Sequence, residues 1–121
     1  MISLKLIDEI ETLIAMHQEG PYWDFKREWY GDNKDGDMLI DIICMANNLV
    51  DRDAYIIIGV DEERDYTIQD ITQDTNRRNT QMLTDFIRGK KFAGDFRPVV
   101  TVEQVQLANG LVFHPLINST F

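Results

Sequence analysis

At 121 residues the chain can bury one real core, and 44% hydrophobic with 27% charged residues excludes a disordered or low-complexity protein. The net charge of −9, taken as a total, argues against a nucleic-acid partner. One cysteine, Cys44, excludes an intramolecular disulfide and points to a reducing compartment. No run approaches transmembrane length and the N-terminus carries acids where a signal peptide carries lysines, so a cytoplasmic location is expected.

The charge is unevenly spread. Residues 1–76 hold 18 acids against 6 bases, whereas residues 77–97 hold six bases (Arg77, Arg78, Arg88, Lys90, Lys91 and Arg97) against Asp85 and Asp95. An acidic chain therefore contains one basic segment.

In chain order, residues 3–17 carry a helical stripe of Leu6, Ile7, Ile10, Leu13 and Ile14, with Ser3 as N-cap, His17 as a surface residue and Glu19-Gly20-Pro21 as the stop. Residues 22–30 alternate as a half-buried strand does. Trp23, Phe25 and Trp29 point one way and Asp24, Lys26 and Glu28 the other, which puts Asp24 and Lys26 roughly 6–7 Å apart on one face. A polar turn at 31–36 leads to a helix capped by Asp37, with Met38, Leu39, Ile42, Ile43, Ala46, Leu49 and Val50 on its apolar face. Cys44 reads there as a small buried hydrophobe, and Asn47-Asn48 as a left-handed helix end.

The run at 55–60, YIIIGV, predicts a central strand covered on both faces, with Gly59 marking close approach of another backbone or a ligand. After a polar connector, Met82, Leu83, Phe86 and Ile87 define a third helix ended by Gly89. A basic loop at 90–98 carries Phe92 and Phe96. Residues 99–107 read as a strand whose apolar parity shifts at Glu103-Gln104, as at a bulge. Asn109-Gly110 signals a hairpin returning residues 111–117, with Pro115 placing that strand at an edge or ending it. These elements predict a single α+β domain over 1–121: a small, mainly antiparallel sheet with strand 55–60 central and about three packed helices.

Three groupings could carry chemistry. Glu19 and Asp24 lie before and inside the first strand, and Asp61, Glu62 and Glu63 follow the second. On neighbouring strands such acids could hold Mg²⁺ or Mn²⁺ for phosphodiester cleavage, although an acidic strand end in a chain with 21 acids is more often a solvated edge. Lys26 beside Asp24 reads as a phosphate contact or, more blandly, a surface ion pair. Arg77, Arg78, Arg88, Lys90 and Lys91 could follow a phosphate backbone, or balance the acidic remainder. No P-loop, GxGxxG, CxxC, HExxH or GxSxG is present, which disfavours a standard nucleotide fold, a zinc site or a serine hydrolase.

Glu19-x4-Asp24-Phe25-Lys26, Asp41-Ile-Ile-Cys-Met-Ala46-Asn47 and Tyr55-Ile-Ile-Ile-Gly59-Val60-Asp61-Glu62 together resemble the Schlafen-type AlbA domain. The resemblance implies a nucleic-acid-binding domain, RNA or DNA, of the kind found in bacterial regulators. It also implies, by analogy with the animal Schlafens, a metal-dependent nuclease centre with Glu19, Asp24 and Glu62 as metal-holding acids and Lys26 as the motif lysine. Mg²⁺ or Mn²⁺ would be its cofactor. Asp24 stands where the family usually has Glu, Glu62 where it has Asp, and 48–53 replace the usual Gly-Gly after Ala-Asn. The competing expectation is a non-catalytic regulatory or dimerising module, acting as a homo-oligomer or with a partner domain. An ATP-binding regulator comes third.

Overall fold

In a computed structural model of the chain, the described residues are 4–48, 50, 52–91, 98–106 and 112–120. Ser3, Leu49, Phe92, Phe96, Arg97 and the Asn109-Gly110 turn lie outside them. Helix α1 (Leu4–Ala15) buries Ile10, Leu13 and Ile14 and closes at His17, whose φ of 52° is left-handed. The chain then folds back on itself. Gly20 N donates to Trp23 O at 3.2 Å, and strand β1 (Trp23–Lys26) follows.

β1 is shorter than the alternation predicts, and Trp29 leaves the face of Trp23 and Phe25. Trp23 and Phe25 pack with α1, whereas Trp29 packs with Met38 and Ile42 on the other side of the sheet. Helix α2 (Asp35–Ala46) begins two residues before Asp37, so Asp37 is not the cap. Lys34 occupies the cap position without a side-chain bond, and Asp35 and Asp37 sit in the first turn, where carboxylates complement the helix dipole. Asn47 ends α2 with φ −96°, not left-handed, and Asn48 Nδ2 donates to Met45 O at 3.0 Å. Cys44 is exposed, contrary to expectation: Met38 and Ile42 mark the buried stripe, and Cys44 lies two residues off it, about 200° around the helix.

Strand β2 (Ala54–Ile58) is buried throughout and runs between β1, parallel, and β7 (Val112–Thr120), antiparallel. Its side chains alternate, Tyr55 and Ile57 toward α1, Ile56 and Ile58 toward α2 and α3. The run does not continue straight to residue 60. Gly59 has φ 108°, donates to Lys26 O at 2.7 Å and accepts from Gln69 N at 2.7 Å. This is the close backbone approach expected of it, and it breaks the strand. Beyond it β3 (Val60–Asp61) pairs with β4 (Thr67–Ile68) as a separate small hairpin. Helix α3 (Thr80–Arg88) is capped by Asn79, whose side chain accepts from Met82 N at 2.8 Å, and ends at Gly89. Leu83 and Ile87 are buried, while Met82 faces out.

The sheet order is β1-β2-β7-β5, with β5 (Pro98–Val102) and β6 (Val105–Gln106) both antiparallel to β7. Pro115 is thus inside the sheet, not at an edge. It is tolerated because the β5–β6 ladder is interrupted opposite it. Val102 pairs with Leu116 and Val105 with Phe113, so 103 faces the proline, which has no N–H to give. The same register shows no inserted residue, so the parity shift at Glu103-Gln104 is not a bulge. Val100 faces the α2–α3 core and Val105 the α1 core, each strand segment burying the opposite face.

The α+β class is as expected. Layering follows from the burial pattern, with α1 against one face of the sheet and α2 and α3 against the other. A side chain at Gly20 would overlap the Trp23 ring, which is itself held by a 2.8 Å bond from Trp23 Nε1 to Gln18 O. Gly20→Ala is therefore expected to lower stability by roughly 1–3 kcal/mol, read from the denaturant midpoint by tryptophan fluorescence.

Candidate functional site

Asp24 points to the α2 side of β1. Its Oδ1 accepts from Phe25 N at 2.9 Å, and its Oδ2 lies 3.4 Å from Lys26 Nζ. The bond to Phe25 N also occupies a donor on the outer edge of β1, as Gly20 N does for Trp23 O, so this edge strand is partly closed to further pairing. The Gly20–Trp23 fold-back returns Glu19 alongside Asp24. Glu62 opens the 3₁₀ turn Glu62–Arg64, which the break at Gly59 swings beside β1. Asp61, by contrast, is buried and structural: it caps that turn by accepting from Glu63 N at 3.0 Å and lies 3.6 Å from Arg64 Nε.

Glu19 joins the other two acids. Its carboxyl lies close enough to Asp24 and to Glu62 to share one proton with either of them. The bond to Asp24, then burial, then the bond to Glu62 and the charge of both neighbours hold its proton, with its pKa pushed up to about 8. Three acids from three segments thus meet through Glu19. A cleft of about 290 Å³ beside them is lined by Lys26, Arg27, Asp61, Glu62 and Glu63.

Lys26 is held on both sides. Its Nζ is 3.4 Å from Asp24 Oδ2 and 3.4 Å from Asp41 Oδ2, and 5.9 Å from the centre of the Tyr30 ring. Tyr30 donates its hydroxyl to Asp41 Oδ2 at 2.6 Å. Burial disfavours the ammonium, but Asp24 and Asp41 more than offset it and the Lys26 pKa is raised; burial and Asp41 push the Tyr30 phenol up as well. Asp41 and Tyr30 were not among the expected site residues. A signal for Asp41 existed, since it is the one charge within the otherwise apolar run Met38–Ala46.

The basic segment divides. Arg78 is not free to meet a phosphate: Nη2 is 3.0 Å from Asp35 Oδ1 and Nη1 donates to Tyr30 O at 3.0 Å, bolting the connector after β4 to the loop after β1. Arg77, Arg88, Lys90 and Lys91 are all exposed. Arg88 lies 3.5 Å from Asp85, and Lys90 sits 4.7 Å over the Phe86 ring. Among the described residues, Arg77, Lys90 and Lys91 have no carboxylate partner. Arg88 ends α3, with Arg77 before the helix and Lys90 and Lys91 after it; α3 packs on β5, while the acids cluster at β1, the other edge of the sheet.

Oxygen donors of this kind suit Mg²⁺ or Mn²⁺. Their arrangement is less complete than their chemistry. Among the described residues no group of three or more His, Cys, Asp or Glu side chains is placed to hold a metal ion, and Glu19 links the other two acids pairwise. No described helix is long and apolar enough to cross a membrane.

Fold and site together define a small α+β domain with a carboxylate cluster at one sheet edge and exposed cations toward the other. A family model for Schlafen, AlbA_2 matches residues 19–117, and the chain belongs to that family of nucleic-acid-related domains. No curated protein and no solved structure matches it.

Proposed function

We propose that the chain binds RNA or DNA, with Arg77, Arg88, Lys90 and Lys91 as the phosphate contacts. The observation that carries this reading is the exposure of these cations on a domain of a nucleic-acid-related family. Their position beside β5, away from the acids at β1, supports this reading despite a charge of −9, because a phosphate backbone could meet the cations without crossing the carboxylate cluster. Converting Arg88, Lys90 and Lys91 to Glu is expected to weaken binding and flatten its salt dependence, the log–log slope falling by about one for each phosphate that is no longer neutralised. An unchanged slope in fluorescence anisotropy would remove this segment from the interface.

A second reading, metal-dependent phosphodiester cleavage, is favoured by the convergence of Glu19, Asp24 and Glu62 beside Lys26. Solvated acids would splay apart, and the closeness of Glu19 to Asp24 and Glu62 supports the reading. In that reading Mg²⁺ or Mn²⁺ would supply positive charge for the phosphoryl group, and Lys26, steadied by Asp41, would face the same phosphate. The side chains do not close on one ion position as they stand, so no chemical step is assigned to the cation.

A further inference from the structure

Glu19 and Glu62 are both exposed, and among the described residues neither forms an ion pair, so a proton shared at the surface is the one polar tie between them and the packing beneath must keep the two side chains close. We propose that Tyr66 is the positioning residue of the acid cluster, its ring joining the segment that carries Glu19, the strand that carries Asp24 and the turn that carries Glu62. The proposal rests on reading that cluster as the functional site.

The contacts are specific. The Tyr66 ring stacks on His17, two residues before Glu19, with centroids 5.0 Å apart and planes at 18°. Its edge meets Phe25, the neighbour of Asp24, at 5.4 Å and 76°. Tyr66 itself follows the Glu62–Arg64 turn by two residues and packs against the α1-side core. One ring therefore touches or belongs to all three segments.

The backbone tells the same story. Among the described residues other than glycine, positive φ occurs at His17 (52°), Asp65 (57°) and Tyr66 (58°), all in this one contact. Two successive left-handed residues turn the chain out of the 3₁₀ turn and aim the Tyr66 ring at His17 and Phe25. Such conformations are uncommon for an aromatic residue and persist where the surroundings over-determine them. The charged part of the contact is minor. His17 Nδ1 lies 3.4 Å from Asp65 Oδ1, but these side chains are 47% and 88% exposed, so the rings rather than the ion pair must carry the clamp.

The test reads geometry directly, without nucleic acid or metal, by NMR of isotope-labelled protein. Wild type and Tyr66→Phe are expected to show NOE cross-peaks between the Glu19 and Glu62 side-chain methylenes. Tyr66→Gly removes the ring and at the same time relieves the left-handed backbone. It is expected to keep the core cross-peaks of Ile56 and Leu83 and to lose those between Glu19 and Glu62; Asp65→Asn is expected to keep both sets. Retention of the Glu19–Glu62 cross-peaks at wild-type intensity in Tyr66→Gly, or their loss in Tyr66→Phe, would overturn the proposal. Should Tyr66→Gly not fold, His17→Gly removes the stack from its other side with the same two readings. If instead the geometry behaves as expected and the protein neither binds nor cleaves nucleic acid, the functional reading fails while the positioning role stands.

Discussion

Thermal stability is expected to fall as pH rises from about 4.5 to about 8, and Glu19→Gln is expected to remove the part of that slope that Glu19 causes. The sign follows from proton counting. The folded state keeps a proton on Glu19 up to about 8, while the unfolded chain releases it near the ordinary value of 4.5. Between those limits the native state binds more protons, so each rise in pH favours unfolding. Below the window both states are protonated and nothing is lost. Above it the carboxylate is ionised against Asp24 and Glu62, and the full penalty applies.

Among the described residues, the other shifted groups leave this window clear. Lys26, Arg52, Tyr30 and Tyr55 are all raised from ordinary values of 10 or more, and Asp70 is lowered from 3.8, so these titrate outside it. Because Glu19 lies near the surface, added salt should shrink the difference between wild type and Glu19→Gln. The check is a series of melts across the window at two ionic strengths. Parallel curves for the two proteins would show that Glu19 does not share its proton with the neighbouring acids.

Which parts of this structure the sequence discloses depends on the range of the physics involved. The stripes of α1 and the buried face of α3 at Leu83 and Ile87 are local periodicities, and local spacing suffices to find them. The β-branched run of β2 is equally plain. Its interruption at Gly59 is not, because the break depends on where Lys26 and Gln69 lie in space. Pro115 illustrates the same limit: a rule about donors places proline at an edge, but the missing donor can also be absorbed by a gap in the neighbouring strand, which only the register reveals. Trp29 fits the alternation of β1 yet crosses to the other core, since the strand ends at Lys26 and the next residues are free to turn.

The site divides along the same line. Asp24 and Lys26 share a face because strand alternation is a two-residue rule. Spacing offered Glu19 and Asp24 with any of Asp61, Glu62 and Glu63, and only the family motif singled out Glu62, because spacing says nothing of the fold-back at Gly20 or of which acid the turn after Gly59 presents. Arg78 looked equivalent to its neighbour Arg77, and its role is set by Asp35 and Tyr30, more than forty residues away in sequence. Charge type is visible in a sequence; whether a charge is already partnered is a tertiary fact.

The largest effect on activity is expected at Asp24. With Mn²⁺ and labelled structured RNA or single-stranded DNA, wild type should cleave and Asp24→Ala should not. Asp24→Asn is the sharper variant, because a side-chain oxygen can still accept from Phe25 N while the charge beside Lys26 and Glu19 is gone. If these acids hold a divalent ion, Glu19 would bind it in its deprotonated form, so in the cleavage reading metal affinity and activity would both climb as pH approaches about 8. Glu19→Gln should abolish that pH limb. The change Asp24→Glu with Glu62→Asp restores the acids usual in the family and tests whether the exchange of one methylene between the two positions is neutral for this pair. Loss of cleavage in the swap but not in wild type would mean that the site is built for its own acids. Equal residual activity in wild type and Asp24→Asn would sink the catalytic reading, and would leave the cationic edge formed by Arg77, Arg88, Lys90 and Lys91 as the working surface of the domain.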